Sequence, residues 1–192
     1  MPNWCSNSLT LSGPQAVLQE IADTGFSFTK LMPYPKEMEG IENVYPPPAE
    51  EVNKRARLNE KYGVDNLYDW CVKNWGTKWD VTPSMPLEIE PIMAPENLFE
   101  LIIDFDSAWS PPVGVIKFIY DNYKDRGLSI HMEYFDPACA FLGTVTAENG
   151  EFKDIYYDYQ NVDELEKYSK ELGHYLSKCE IEYLREQEAE NE

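Results

Sequence analysis

The sequence predicts an α+β fold in which a split β-α-β antiparallel sheet carries a helical insertion, an added C-terminal hairpin and a long C-terminal helix. Three observations predict it. Strand-type alternation passes into a helix and back to a strand pattern twice, near residue 10 and near residue 115. Between the two passes lies a proline-rich stretch that breaks the alternation. After the second pass an Asn-Gly pair separates two more strand patterns, and a helical apolar stripe follows.

Residues 4–11 alternate, with Cys5, Asn7, Leu9 and Leu11 on one face and Trp4, Ser6, Ser8 and Thr10 on the other. Gly13-Pro14 ends this strand, and Ala16, Val17, Leu18 and Ile21 give a short amphipathic helix stopped by Gly25. Phe26 to Phe28 begin a second predicted strand. Residues 31–96 read as an insertion, with loops stiffened at Pro33, Pro35 and Pro46 to Pro48, helices over 50–61 and 65–73, and a tight aromatic connection over 74–80. Phe99, Leu101, Ile103 and Phe105 mark the next half-buried strand. Ser110-Pro111 supplies an N-cap and a first-turn proline for a helix through Val115, Ile116, Ile119, Tyr120 and Tyr123 to Gly127. Leu128, Ile130, Met132 and Tyr134 form another strand.

Strands over 139–146 and 152–159 flank Asn149-Gly150, a strong hairpin signal. Asn161 and Glu164 have the spacing of a capping box, opening one long helix with a stripe of Val162, Leu165, Tyr168, Leu172, Tyr175, Leu176, Cys179 and Tyr183, fraying from Glu186. Two β-α-β halves in one sheet describe a ferredoxin-like fold. The prediction is a single domain over 1–192, with the insertion at 31–96 and the hairpin and acidic helix at 139–192.

Composition excludes several function classes. No apolar run approaches the roughly 20 residues of a membrane span, and the N-terminal stretch lacks the basic and apolar regions of a signal peptide, so a soluble, cytoplasmic chain is expected. The four cysteines and two histidines lie far apart, which predicts reduced, mostly buried thiols and no zinc site or other cofactor. The formal net charge is −19, and residues 148–192 hold 14 acidic against 5 basic side chains. Such a field repels phosphate backbones, so direct nucleic-acid binding is not expected. The charge serves solubility, or it attracts basic proteins by imitating nucleic acid.

Three stretches carry a resemblance: Met1-Pro2-Asn3-Trp4-Cys5-Ser6-Asn7, Asn74-Trp75-Gly76-Thr77-Lys78-Trp79-Asp80 and Ala108-Trp109-Ser110-Pro111-Pro112. Together the chain resembles, from residue 1 to about 135, the YubB-type family found on phages, plasmids and integrated elements. The resemblance implies a ferredoxin-like fold and a mobile-element origin; it supplies no catalytic residues.

Candidate sites are few. Trp75, Trp79 and Trp109 either form a stacking platform for a ligand or staple the insertion to the sheet; the lack of a basic groove favours the staple. Lys78 and Asp80 flank Trp79 and, in an extended segment, form a polar handle or an exposed ion pair. Asp104 and Asp106 share one strand face, and Glu133 and His131 lie on the polar side of another strand. Such carboxylates can hold Mg²⁺ and a substrate phosphate, yet no glycine-rich phosphate loop or basic clamp accompanies them. No nucleophile elbow is present; pairing of His131 with Cys5 or Cys139 would have to be spatial. In the C-terminal helix, Tyr168, Tyr175 and Tyr183 either dock a partner or cover the sheet.

The leading expectation is a non-enzymatic mobile-element accessory protein. It would bind a host or element-encoded protein with a basic surface, without membrane or direct nucleic-acid contact, for example by occupying the DNA-binding cleft of a host nuclease. The alternatives are a small metal-dependent enzyme on nucleotides or phosphates using Asp104 and Asp106, and a structural or assembly role.

Overall fold

The computed structural model describes residues 3–93 and 97–190. Met1 and Pro2 of the resemblance, residues 94–96 of the predicted insertion and the last two residues lie outside them. The elements are β1 (Trp4–Gly13), α1 (Gln15–Ala22), α2 (Phe28–Leu31), α3 (Val52–Tyr62), α4 (Leu67–Trp75), β2 (Ile89–Pro91), β3 (Phe99–Ala108), α5 (Val113–Tyr123), β4 (Ser129–Asp136), β5 (Phe141–Glu148), β6 (Glu151–Asp158), α6 (Val162–Leu172) and α7 (Leu176–Glu190).

One six-stranded sheet runs in the order β2-β3-β1-β4-β5-β6, antiparallel throughout. Its first four strands are those of a split β-α-β core: β1 lies between β3 and β4, and β3 between β1 and β2. One face is covered. Cys5, Leu9 and Leu11 of β1, Leu101, Ile103 and Phe105 of β3, and Ile130, Met132 and Tyr134 of β4 are buried beneath Val17, Leu18 and Ile21 of α1 and Val115, Ile116, Ile119 and Tyr120 of α5. Ala16, expected on the apolar side of α1, is exposed. Each buried side chain of this size contributes about 1.5–3 kcal/mol, so these apolar faces hold the core.

Phe26 to Phe28 do not form a strand. Phe26 has φ 53°, and α2 starts at Phe28. The place beside β3 belongs to β2, where Ile89 pairs with Leu101. The expected insertion therefore contains the edge strand of the core. The two phenylalanines instead join the sheet to the inserted helices. Their rings lie 5.1 Å and 6.1 Å from Phe105, Phe28 lies 5.9 Å from Trp75, and Trp75 lies 5.9 Å from Trp70.

The hairpin forms as expected, with Asn149 and Gly150 at positive φ. Asn161 Oδ1 accepts from the Glu164 amide at 3.0 Å, while the Glu164 carboxylate accepts from the Gln160 amide at 2.8 Å.

The C-terminal helix is two helices. Gly173, at φ 67°, ends α6, and the following turn is fastened into the sheet. Buried His174 places Nε2 2.9 Å from the Tyr134 carbonyl, and Glu133 Oε2 accepts from the amides of Tyr175 at 2.6 Å and Leu176 at 3.4 Å. A carboxylate at a helix N-terminus is favourable. The break turns the stripe: Leu165, Leu172, Leu176, Ile181 and Leu184 pack on Phe135, Leu142 and Tyr159, while Tyr175, Cys179 and Tyr183 are exposed. The helix α7 continues past Glu186 to Glu190. Thus α6 and α7 cover the β4-β6 side of the second sheet face and leave its β3-β1 side open.

Among the described residues all four cysteines are free, but only Cys5 and Cys71 are buried; Cys139 and Cys179 are exposed. No described helix is long and apolar enough to cross a membrane.

Candidate functional site

The open face carries Trp4, Ser6, Ser8 and Thr10 of β1 beside Ile102, Asp104 and Asp106 of β3. In register, Trp4 stands opposite Ala108, Ser6 opposite Asp106 and Ser8 opposite Asp104. At the rim, where β1 begins and β3 ends, three indoles gather. Trp4 is 48% exposed, Trp79 46% and Trp109 47%. The rings of Trp4 and Trp79 are 6.1 Å apart, and Lys78 Nζ lies 4.1 Å from the Trp79 ring centre and 5.3 Å from that of Trp109.

Backbone and short side chains build this rim. Trp109 has φ 73°, a left-handed conformation costing a bulky residue about 1–2 kcal/mol. Its amide donates to the Asn3 carbonyl at 3.0 Å. On either side of it, the Ser107 hydroxyl donates to the Ser110 carbonyl at 2.8 Å, and the Thr77 hydroxyl donates to the Ala108 carbonyl at 2.8 Å. Ser110 does not cap α5; its hydroxyl donates to the Gly76 carbonyl at 2.5 Å. Gly76 permits that approach: a Cβ there would lie 2.8 Å from the Pro111 carbonyl oxygen. The loop after α4 and the loop after β3 are thereby stitched together, each presenting one indole. Below them, buried Asn7 donates to the Cys5 and Phe105 carbonyls and to the Ser107 hydroxyl, joining β1 to the same corner.

The candidate residues separate. Trp75 is a staple: it is 2% exposed and its Nε1 donates to the Met32 carbonyl at 2.9 Å. Trp79 and Trp109, also read as staples, are not. Lys78 and Asp80 do not pair. Asp80 turns away to cap α2, its Oδ1 accepting from the Phe28 amide at 2.6 Å and the Val81 amide at 2.9 Å, and its Oδ2 from the Ser27 hydroxyl at 2.7 Å and the Thr29 amide at 3.2 Å. Partial burial pulls the Asp80 carboxyl upward, but these hydrogen bonds outweigh it and hold it below its ordinary range. Trp4 was absent from the expected set. Its signal was legible: one indole on the strand face that otherwise carries Ser6, Ser8 and Thr10.

The carboxylates do not converge. Asp104 and Glu133 both stand opposite Ser8, on its two sides, which puts their backbones about 10 Å apart. Glu133 is committed to the start of α7. Burial raises its carboxyl, but His131 at 3.7 Å, the bonds from the Tyr175 and Leu176 amides and the nearby His174 bring it below the ordinary range. Asp106 accepts from the Ser6 hydroxyl at 3.1 Å. Asp104 and Asp106 line a shallow cleft with Ser84, Tyr175 and Leu176. Among the described residues, no group of three or more His, Cys, Asp and Glu is placed to hold a metal ion. His131 lies 3.7 Å from Glu133, not beside a cysteine.

Comparison with known proteins bears on the fold. No curated protein matches the chain. A crystal structure of protein api92 from Yersinia pseudotuberculosis is similar over 84% of this chain and 99% of that one, with 11% sequence identity and a TM-score of 0.45. Residues 92–177, which include β3, α5, β4, β5, β6 and α6, match the family described as the ferredoxin-like domain in Api92-like protein, and the strand order places the chain's sheet in that same fold class.

Proposed function

We propose that this chain is a non-catalytic binding module for a protein with a basic surface, which it meets through the open side of its sheet. The observation that carries this reading is the rim cluster of Trp4, Trp79 and Trp109, half-exposed, with Trp109 kept at φ 73°. Left-handed backbone at a bulky residue persists only where the surroundings over-determine it, and such positions cluster at functional sites. Tryptophan also dominates the energetics of interfaces, because one rigid ring desolvates a large area at little entropic cost. Asp104 and Asp106 stand on the same face, and the whole chain carries −19. That field accelerates encounter with cationic proteins and opposes polyanions. The YubB-type resemblance supplies a setting: an accessory protein of a phage or plasmid acting on a host or element-encoded partner, with counter-defence by nucleic-acid mimicry as one form of it.

The test is retention of partners from host lysate on the immobilised chain across a salt series, run beside a Trp79→Ala/Trp109→Ala variant. A basic protein held by the native chain at low salt and lost by the variant supports the reading. Capture that ignores the variant at every salt, or tight binding of DNA or RNA in ordinary buffer, overturns it.

A further inference from the structure

We infer that the ring faces of Trp79 and Trp109 form a seat for one side-chain cation, filled in the free chain by its own Lys78 and taken over in the complex by an arginine of the partner. This deepens the binding reading and rests on it. Lys78 is the lysine that, among the described residues, lies over two rings, whereas Lys167 and Lys178 each lie over a single tyrosine. Lys61, Lys117, Lys124 and Lys170 each sit beside a carboxylate. Lys78 is placed instead over two indoles, at 4.1 Å and 5.3 Å, and it makes no ion pair or hydrogen bond among the described residues. In a chain with 35 acidic and 16 basic side chains, carboxylates are plentiful, so the ring faces are a competent cation site in their own right. The quadrupole of an indole attracts any ammonium or guanidinium within about 6 Å of its centre.

Arginine suits the site better than a second lysine. A guanidinium is planar and weakly hydrated, so it stacks on an indole with its edge donors left free. A carboxylate stands on the same sheet face, two strand positions from Ala108, the partner of Trp4. Trp4 and Ser6 are successive residues on the open face, and Ser6 pairs with Asp106, whose carboxylate accepts only the Ser6 hydroxyl among the described residues. An arginine over Trp79 can therefore reach toward Asp106 in forked geometry, which the Lys78 side chain does not do. In the free chain Lys78 is tethered beside the rings at high effective concentration, so it covers them until a better cation arrives.

The experiment is an NMR titration of the full chain with acetyl-Gly-Arg-Gly-amide, following the indole N–H signals and the ε-methylene protons of Lys78. The same peptide with citrulline, an uncharged isostere, is the control. The arginine peptide shifts the Trp79 and Trp109 signals with a dissociation constant on the order of 10 mM, and citrulline does not. Lys78 ε-protons, moved upfield by the ring currents, return toward their free value as the peptide saturates. Lys78→Gln vacates the seat and tightens binding by roughly 3- to 10-fold, whereas Lys153→Gln removes the same charge on β6 and leaves binding unchanged. Equal shifts with citrulline, equal tightening by both variants, or Lys78 protons that stay upfield at saturation each overturn the seat. Should the arginine peptide leave the indoles unmoved while partner capture still depends on Trp79 and Trp109, the seat fails and the binding module stands. Should the peptide bind as described while lysate capture ignores those indoles, the protein-partner reading fails instead.

Discussion

Asp80 holds the first turn of α2 from across the chain, and its removal has a calculable cost. Replacing it with alanine strips the acceptor from the amides of Phe28, Thr29 and Val81 and from the Ser27 hydroxyl. Hydrogen bonds to a charged group are worth about 1.5–3 kcal/mol each when fully shielded. Here the residue is only partly buried, and water replaces part of what is lost. The measured range for helix caps, about 0.5–2 kcal/mol, is therefore the better guide, with its upper end appropriate because Phe28 is fully buried. We expect Asp80→Ala to lower stability by about 2 kcal/mol, a Tm decrease of about 4–8 °C for a chain of this size. Asp80→Asn keeps one acceptor oxygen and should lose about half as much. Urea unfolding, followed by far-UV circular dichroism and tryptophan fluorescence, measures this as a lower midpoint at unchanged slope.

The pH dependence of that difference has a definite sign. The folded Asp80 carboxyl lies below its ordinary value of 3.8, so the unfolded chain takes up the proton first. The Asp80 contribution is whole above pH 3.8 and disappears as pH falls through the lower folded value. Native and Asp80→Ala proteins should converge in stability there. An Asp80→Ala variant within about 0.5 kcal/mol of the native protein at neutral pH would refute the reasoning, since water would then serve these donors as well as the carboxylate does.

Gly114→Ala should be among the most damaging single-methyl changes: the new Cβ would sit 2.0 Å from the Asn74 carbonyl oxygen, which is backbone and cannot turn aside. Separating α4 from α5 should cost about 2–3 kcal/mol, measured by the same urea titration, and no loss would show that the helices slide freely. Burial pushes the His174 imidazole below its ordinary 6.5, with Glu133 opposing. Its neutral form is the folded one, so stability is whole above pH 6.5 and falls as pH drops from 6.5 toward the lower folded value. Urea midpoints at about pH 7.5 and about pH 5.5 should show this slope, and His174→Gln should flatten it. A thiol-reactive chromophore should label Cys139 and Cys179 quickly and Cys5 and Cys71 only after unfolding. Burial, with the charge of Asp80 adding, pushes the Cys71 thiol up to about 11, and burial raises Cys5 further; rapid labelling of all four would contradict the burial.

Elements that depend on near neighbours in the chain were legible. The alternation of Cys5, Asn7, Leu9 and Leu11, the Asn149-Gly150 turn and the Asn161 cap each express a local rule, and each appears in the fold. Elements defined by a distant partner were not. The strand β2 has three residues, one of them Pro91, and is a strand only because β3 offers it an edge. Phe26 to Phe28 alternate as a strand would, but the Asp80 carboxylate starts a helix there from more than fifty positions away. The helical stripe runs unbroken across Gly173 in sequence, while Glu133 and the buried His174 make the turn that divides it.

The sequence alone determined the α+β class, the second half of the sheet and the sign of the field around the molecule, because alternation, caps and charge are properties of neighbouring residues and of sums. Tertiary structure decided which indoles face water. Trp75 and Trp79 stand four residues apart in one motif, yet one is buried against Phe28 and Trp70 and the other is displayed beside Trp4 and Trp109. The difference comes from where the chain turns at Gly76 and what the turn is bonded to, and those partners are supplied by residues 31 and 34 positions further along.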